Sequence, residues 1–142
     1  MKLHDDKILV STRGPAMHDL TADLRKIVST SGVVRGLCTV FIQHTSASLV
    51  VQENAAPEVQ RDLIRWLAEL APLGGDYEHD DEGADDMPAH LKSALTHSNE
   101  TVPIVDGRLV LGRWQAIYLL EHRHAPHTRT VSVMILGETA KG

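Results

Sequence analysis

Nine of the 142 residues are histidines, and three of these stand in unusual company. His44 closes an apolar run, Leu37-Cys38-Thr39-Val40-Phe41-Ile42, in which alternation puts Cys38, Val40, Ile42 and His44 on one face. His79 lies inside an acidic segment, Tyr77-Glu78-His79-Asp80-Asp81-Glu82. His90 is one turn from Met87 and Ala94, so in a helix it faces protein rather than water. Three neutral imidazoles around an open position make a site for a catalytic divalent metal, zinc being the usual choice. The three are far apart in the chain, with no H-E-x-x-H spacing to join them. The same pattern also fits three separate histidines, each bonded to backbone or solvent.

Other groups offer other chemistry. Asp80, Asp81, Glu82, Asp85 and Asp86 surround Gly83 densely enough to hold magnesium, which prefers oxygen ligands and shares them with substrate phosphates. A solvated loop capping a helix is the plainer reading of the same carboxylates. The register does not match an EF-hand. Arg108 and Arg123 carry guanidinium forks suited to a substrate phosphate. Glu53 and Glu121 end apolar strand faces and are candidate general bases. His122 and His124 share a strand face and could chelate, but Arg123 and Arg129 beside them favour a basic strand end. His44 with Ser46 and Ser48 raises a serine nucleophile; without a G-x-S-x-G elbow or an orienting acid, Ser46 reads better as a hydrogen-bond donor beside a metal or phosphate. Trp114 and Tyr118 share a face, for stacking or for the core. Cys38, in mid-strand, reads as an inert core thiol.

The elements that must position these groups alternate irregularly. Strands are expected at Lys7 to Thr12, Val33 to His44, Ala47 to Glu53, Thr101 to Val105, Arg108 to Leu111, Trp114 to Glu121 and Arg129 to Leu136. Asp106-Gly107 marks a hairpin. Helices are expected from Asp19 to Ser29, from Pro57 to about Leu70, and from Asp86–Pro88 to about Thr96. Seven strands and three helices, partly segregated, predict a single α+β domain with mostly antiparallel sheet.

Bulk properties narrow the partners. The net charge of −5 and pI of about 5.9 argue against broad nucleic-acid binding, which needs clustered Lys and Arg. One cysteine rules out an internal disulfide framework and fits a cytoplasmic setting. No basic leader with a long apolar run opens the chain, and no stretch approaches the roughly 20 apolar residues of a membrane span.

Taken together, His44-Thr45-Ser46-Ala47-Ser48-Leu49, Glu53-Asn54, Asp76-Tyr77-Glu78-His79, Met87-Pro88-Ala89-His90-Leu91-Lys92, Asp106-Gly107-Arg108-Leu109, Leu111-Gly112, Trp114-Gln115 and Glu121 resemble the YjbQ family, also described as secondary thiamine-phosphate synthase. Order and spacing agree over nearly the whole chain. The resemblance implies a compact α+β homotrimer and a metal pocket built from histidines that map onto His44, His79 and His90. It implies a weak or secondary activity joining a pyrimidine diphosphate to a thiazole phosphate. For such an activity Arg108, Arg123, Trp114 and Gln115 are the candidates toward substrate, and Glu53, Glu121 or Ser46 toward the chemistry. The cofactor would be zinc, or magnesium with a diphosphate. Two other outcomes remain open: a non-catalytic trimeric module holding a metal or a small phosphorylated metabolite, and a metal-dependent hydrolase. Arg113 and Ala116 depart from the family's Leu-Gly-Thr-Trp-Gln-Gly. A cation at the pocket mouth and an added methyl there bear on substrate more than on fold.

Overall fold

A computed structural model describes residues 1–141. Eight strands and three helices follow in the order β1 (Lys2–Arg13), β2 (Ala16–Asp19), α1 (Thr21–Ser31), β3 (Val33–Ile42), β4 (Ala47–Glu53), α2 (Pro57–Leu70), α3 (Asp86–Leu95), β5 (Asn99–Val105), β6 (Arg108–Leu109), β7 (Gln115–Glu121) and β8 (Pro126–Thr139). The expected α+β class holds, with eight strands where seven were expected. β2 is the addition: four residues after Gly14-Pro15, too short to show alternation. It exists because β7 pairs with it, from Ala16 opposite Glu121 to Asp19 opposite Tyr118.

All pairing is antiparallel, in a five-stranded sheet ordered β1-β8-β3-β5-β6 and a three-stranded sheet ordered β2-β7-β4. Period-2 alternation turns Cys38, Val40 and Ile42 of β3 and Val131, Val133 and Ile135 of β8 inward. They meet Leu49 of β4, Ile117 and Leu119 of β7, and the stripe Leu24, Ile27 and Val28 of α1 in one apolar core. Helix α1 ends at Gly32, whose φ of +72° makes it the left-handed cap that glycine favours. Among the described residues no helix is long and apolar enough to cross a membrane.

The register divides the small sheet into two ends. Ala47 pairs with Glu121 at one end of the β4–β7 ladder and Glu53 with Gln115 at the other. Six residues of strand separate the ends by about 20 Å.

Candidate functional site

At the Ala47–Glu121 end, the acidic loop and the start of α3 fold together. Asp85 is the N-cap of α3 and Asp86 its first residue, where the positive end of the helix favours a carboxylate. One turn on, His90 falls on the same face, and its Nε2 lies 3.0 Å from Asp86 Oδ2. The loop turns at Gly83, with φ of +100°, and lays His79 Nε2 2.7 Å from the same Asp86 oxygen and 3.2 Å from Glu82 Oε2. Donor atoms of His79, Glu82, Asp86 and His90 all lie within 4.8 Å of one another.

Two of these donors, Asp86 and His90, are held from behind. Arg123 donates through Nη1 to Asp86 Oδ1 at 2.7 Å, through Nε to Asp85 at 3.1 Å and through Nη2 to the Glu82 carbonyl at 3.1 Å. One Asp86 oxygen therefore meets the guanidinium and the other faces the imidazoles. Burial works against the Asp86 anion, but the hydrogen bond with His79, together with the His90 and Arg123 charges, keeps its pKa below the usual carboxylate range. The Asp86 hydrogen bond raises the His79 pKa, with Asp81 and Glu82 adding to it. His90 donates its Nδ1–H to the Thr45 carbonyl at 2.9 Å. That bond fixes the tautomer, so the Nε2 lone pair of a neutral His90 points at a carboxylate oxygen. Two electron-rich atoms 3.0 Å apart need a proton or a cation between them.

The donor set fits a divalent ion. Bonds of roughly 2.0–2.1 Å in a tetrahedral site require donors about 3.3 Å apart, and those around His79 Nε2 stand 2.7 and 3.2 Å away. Two imidazoles with carboxylates suit a first-row transition ion or zinc better than magnesium, which takes oxygen ligands. The backbone carbonyl behind His90 and the arginine behind Asp86 are the supporting partners such ligands need.

His79 and His90 come together as expected; His44 does not join them. Strand β3 stops at Ile42, and the chain folds back so that His44 Nε2 accepts the Thr130 backbone N–H at 2.9 Å. Burial, then the Arg129 charge, lowers its pKa. His44 instead shares with His90 a cavity of about 270 Å³, lined also by Thr45, Ser48, Ser93 and His97.

The remaining expected residues have other neighbours. Ser46 Oγ accepts from Arg129 Nη2 at 3.0 Å. Both oxygens of Glu121 are engaged: Arg129 donates to each at 2.5 and 2.7 Å, Thr12 at 2.6 Å, and the backbone N–H groups of His122 and Arg123 at 3.0 Å. Burial raises the Glu121 pKa, yet these bonds outweigh it and set the carboxyl at about 2, too acidic for a base near neutral pH. Arg123 grips Asp85 and Asp86 rather than standing free for a phosphate. Glu53 sits at the far end of β4, where Oε2 accepts the Ala55 and Ala56 N–H groups ahead of α2. Gln115 Oε1 accepts the Gly112 N–H at 2.7 Å; Trp114 is exposed beneath the Arg113 guanidinium, 4.7 Å from its ring centroid. Arg108 is exposed beside a separate cleft with Arg25 and Ser29.

Sequence reading kept the histidines and the acidic loop as separate sites, and so missed Glu82 and Asp86 as partners of His79 and His90. The signal was the pair of spacings His79-x-x-Glu82 and Asp86-x-x-x-His90. It also treated Arg129 as a charge that repels metal, whereas Arg129 is the buried partner of Glu121, Ser46 and His44. The pair His122 with Ser48, Nε2 to Oγ 2.8 Å, carried no sequence signal, since 74 positions separate them.

The profile of the UPF0047 protein YjbQ-like family matches residues 6–138. A UPF0047 protein from Synechocystis sp. is 50% identical over 136 residues, covering 95% of this chain and 92% of the relative. A crystal structure of a protein of unknown function from Sulfolobus solfataricus P2 superposes with a TM-score of 0.90 at 29% identity, covering 96% and 99% of the two chains. One of an uncharacterized YjbQ/UPF0047 protein from Clostridium acetobutylicum gives 0.87 at 36%, covering 92% and 99%. The chain belongs to the YjbQ-like UPF0047 family.

Proposed function

We propose that the protein is a divalent-metal enzyme that hydrolyses a small molecule held in the cavity between His44, His90 and His97. The observation that carries this reading is the orientation of His90. Its Nδ1–H is committed to Thr45, so its Nε2 is left to hold a proton or an ion against the Asp86 oxygen that His79 also approaches. A bound ion supplies Lewis acidity toward a carbonyl or phosphoryl oxygen and acidifies water. The chain's own part is to keep Asp86 aimed through Arg123, to keep His90 in one tautomer through Thr45, and to present a cavity beside them. Glu82 is the least tethered donor, with an exposed side chain.

The test is metal content after purification and after reconstitution with zinc, manganese, cobalt and magnesium. About one transition ion or zinc per chain is expected, lost in Asp86→Ala and His90→Ala and kept in His44→Ala. Unchanged stoichiometry in Asp86→Ala overturns the site.

Thiamine-phosphate synthesis, the activity that the family resemblance suggested, has weaker support. Neutralising a departing diphosphate asks for free cations near the centre, and Arg123 is committed to Asp85 and Asp86 while Arg108 lies by a separate cleft. Growth of a thiamine-phosphate-synthase-deficient bacterium carrying this chain, abolished by Asp86→Ala, would favour that activity over hydrolysis. Self-association, the coarser part of the expected homotrimer, has support of its own. Helix α2 has a Leu63, Trp66, Leu67 and Leu70 stripe, yet Trp66 is 53% and Leu70 50% exposed. The outer face of the large sheet is apolar as well, through Leu3, Leu37, Phe41 and Leu136. Faces of this kind mark association surfaces.

A further inference from the structure

We propose that Ser48 is a nucleophile and His122 its base, forming an acyl-transfer pair in the floor of the cavity beside the metal centre. Ser48 Oγ and His122 Nε2 are 2.8 Å apart, within the range for a nucleophile and its base. Thr96 Oγ1, which donates to the Lys92 carbonyl at 2.8 Å, lies 2.5 Å from Ser48 Oγ and packs the serine against His122. Three elements assemble the pair: Ser48 is the second residue of β4, His122 follows the last residue of β7, and Thr96 caps the C-terminus of α3. Both members are sealed from bulk water, at 1% and 3% exposure, and Ser48 lines the cavity of about 270 Å³.

The lining of the same cavity includes a residue with an unpaired hydroxyl. Ser93 lines it, and Ser93 Oγ is buried with no hydrogen-bond partner in the protein. A buried unpaired hydroxyl is costly, and rotation of the Ser93 side chain toward a ligand oxygen would satisfy it. No lysine or arginine lines the cavity, so a dianion would enter uncompensated. A short, neutral carboxylic ester matches both the size and the polarity.

The chemistry balances without a further reagent than water. Ser48 Oγ bonds to the acyl carbon as its proton passes to His122 Nε2. The ester C–O bond breaks, and the departing alkoxide takes the proton from His122. Water then adds to the acyl carbon and gives a proton to His122; the Oγ–C bond breaks, and Ser48 recovers that proton as the carboxylic acid leaves. No carboxylate braces the imidazole. Glu121 accepts the His122 backbone N–H and is otherwise tied to Arg129 and Thr12. With no bracing carboxylate, and with burial holding the His122 pKa at about 4, both acylation and deacylation are slow, and the test reads the adduct rather than turnover.

The inference shares the cavity of the proposed hydrolase but not its metal, and the two fail separately. The full chain, with and without chelator treatment, is incubated with p-nitrophenyl acetate, and the product is examined by intact mass and peptide mapping. One acetyl group on Ser48 is expected in both preparations, absent in Ser48→Ala. His122→Gln keeps a hydrogen-bonding partner but loses the base, and acetylation in it falls by about 100-fold or more. An adduct on another residue, no adduct, or a rate unaffected by His122→Gln overturns the inference. Mapping in the unaltered protein decides the matter even where Ser48→Ala fails to fold. Ser48 acetylation in a protein that binds no metal would remove the metal reading alone.

Discussion

Arg129 and Glu121 are almost sealed from solvent, with side-chain exposures of 4% and 0%, so neither can be removed alone without stranding the other. Arg129→Leu leaves a buried carboxylate without its cation. The expected loss is about 3–5 kcal/mol by denaturant titration, far above that of an exposed pair such as Arg65–Asp62. The same residues shape the acid limb of stability. Burial, with the Lys92 charge next, lowers the His122 pKa to about 4 from 6.5. The unfolded chain then binds a proton there before the folded one does, so stability falls as pH drops from 6.5 to about 4. Glu121, held at about 2, adds a second loss as pH falls from 4.5 toward about 2. Melting temperature followed against pH should show both, and His122→Gln should flatten the first. The flattening corresponds to about 3 kcal/mol over the window. None of this was legible in the sequence, where His122 read as part of a basic strand end. Charge composition near a position says nothing about which oxygens and nitrogens the fold will turn toward it.

Strands β3 and β8 meet at a place where only glycine fits. Gly36 and Gly137 are register partners, and a Cβ on either would collide with backbone across the ladder: the Leu136 carbonyl for Gly36, the Arg35 carbonyl for Gly137. Gly36→Ala therefore has to push two paired strands apart. A loss of about 1–3 kcal/mol is expected, with no change in any metal bound at the candidate donors, because these lie on the acidic loop and α3. Elements with strong local signals were readable: β4 and α2 run over the expected residues, one alternating between apolar and polar, the other opened by Pro57. Elements defined by their partners were not. β1 and β8 extend well past their apolar segments because each completes the other's ladder, from Lys2 opposite Gly137 to Arg13 opposite Pro126. The end of β3 is the costliest miss for function. Two residues more of strand would have kept His44 on the apolar face; instead the turn hands it to Thr130.

At the scale of the molecule, the chain has apolar surface left over on two sides. The register puts Leu3, Leu136, Leu37 and Pro103 in one row across β1, β8, β3 and β5. The α2 stripe with Trp66 stands elsewhere, bounded by Leu70 and Leu73, both half-exposed. If these faces join copies of the chain, Leu136→Glu or Trp66→Lys should lower the mass measured by light scattering from an oligomer to a monomer. A mass unchanged in both would leave the faces unexplained by self-association. The candidate metal donors follow a different plan. All four come from residues 79–90, a short surface stretch clipped to the body by Arg123, and the core need not open for any of them to let go. Capture and release of an ion would thus be governed by local loop breathing rather than by global unfolding. A chelator should strip the folded protein within seconds to minutes, at a rate that Arg123→Met speeds up, while hydrogen exchange in β3 and β8 stays slow.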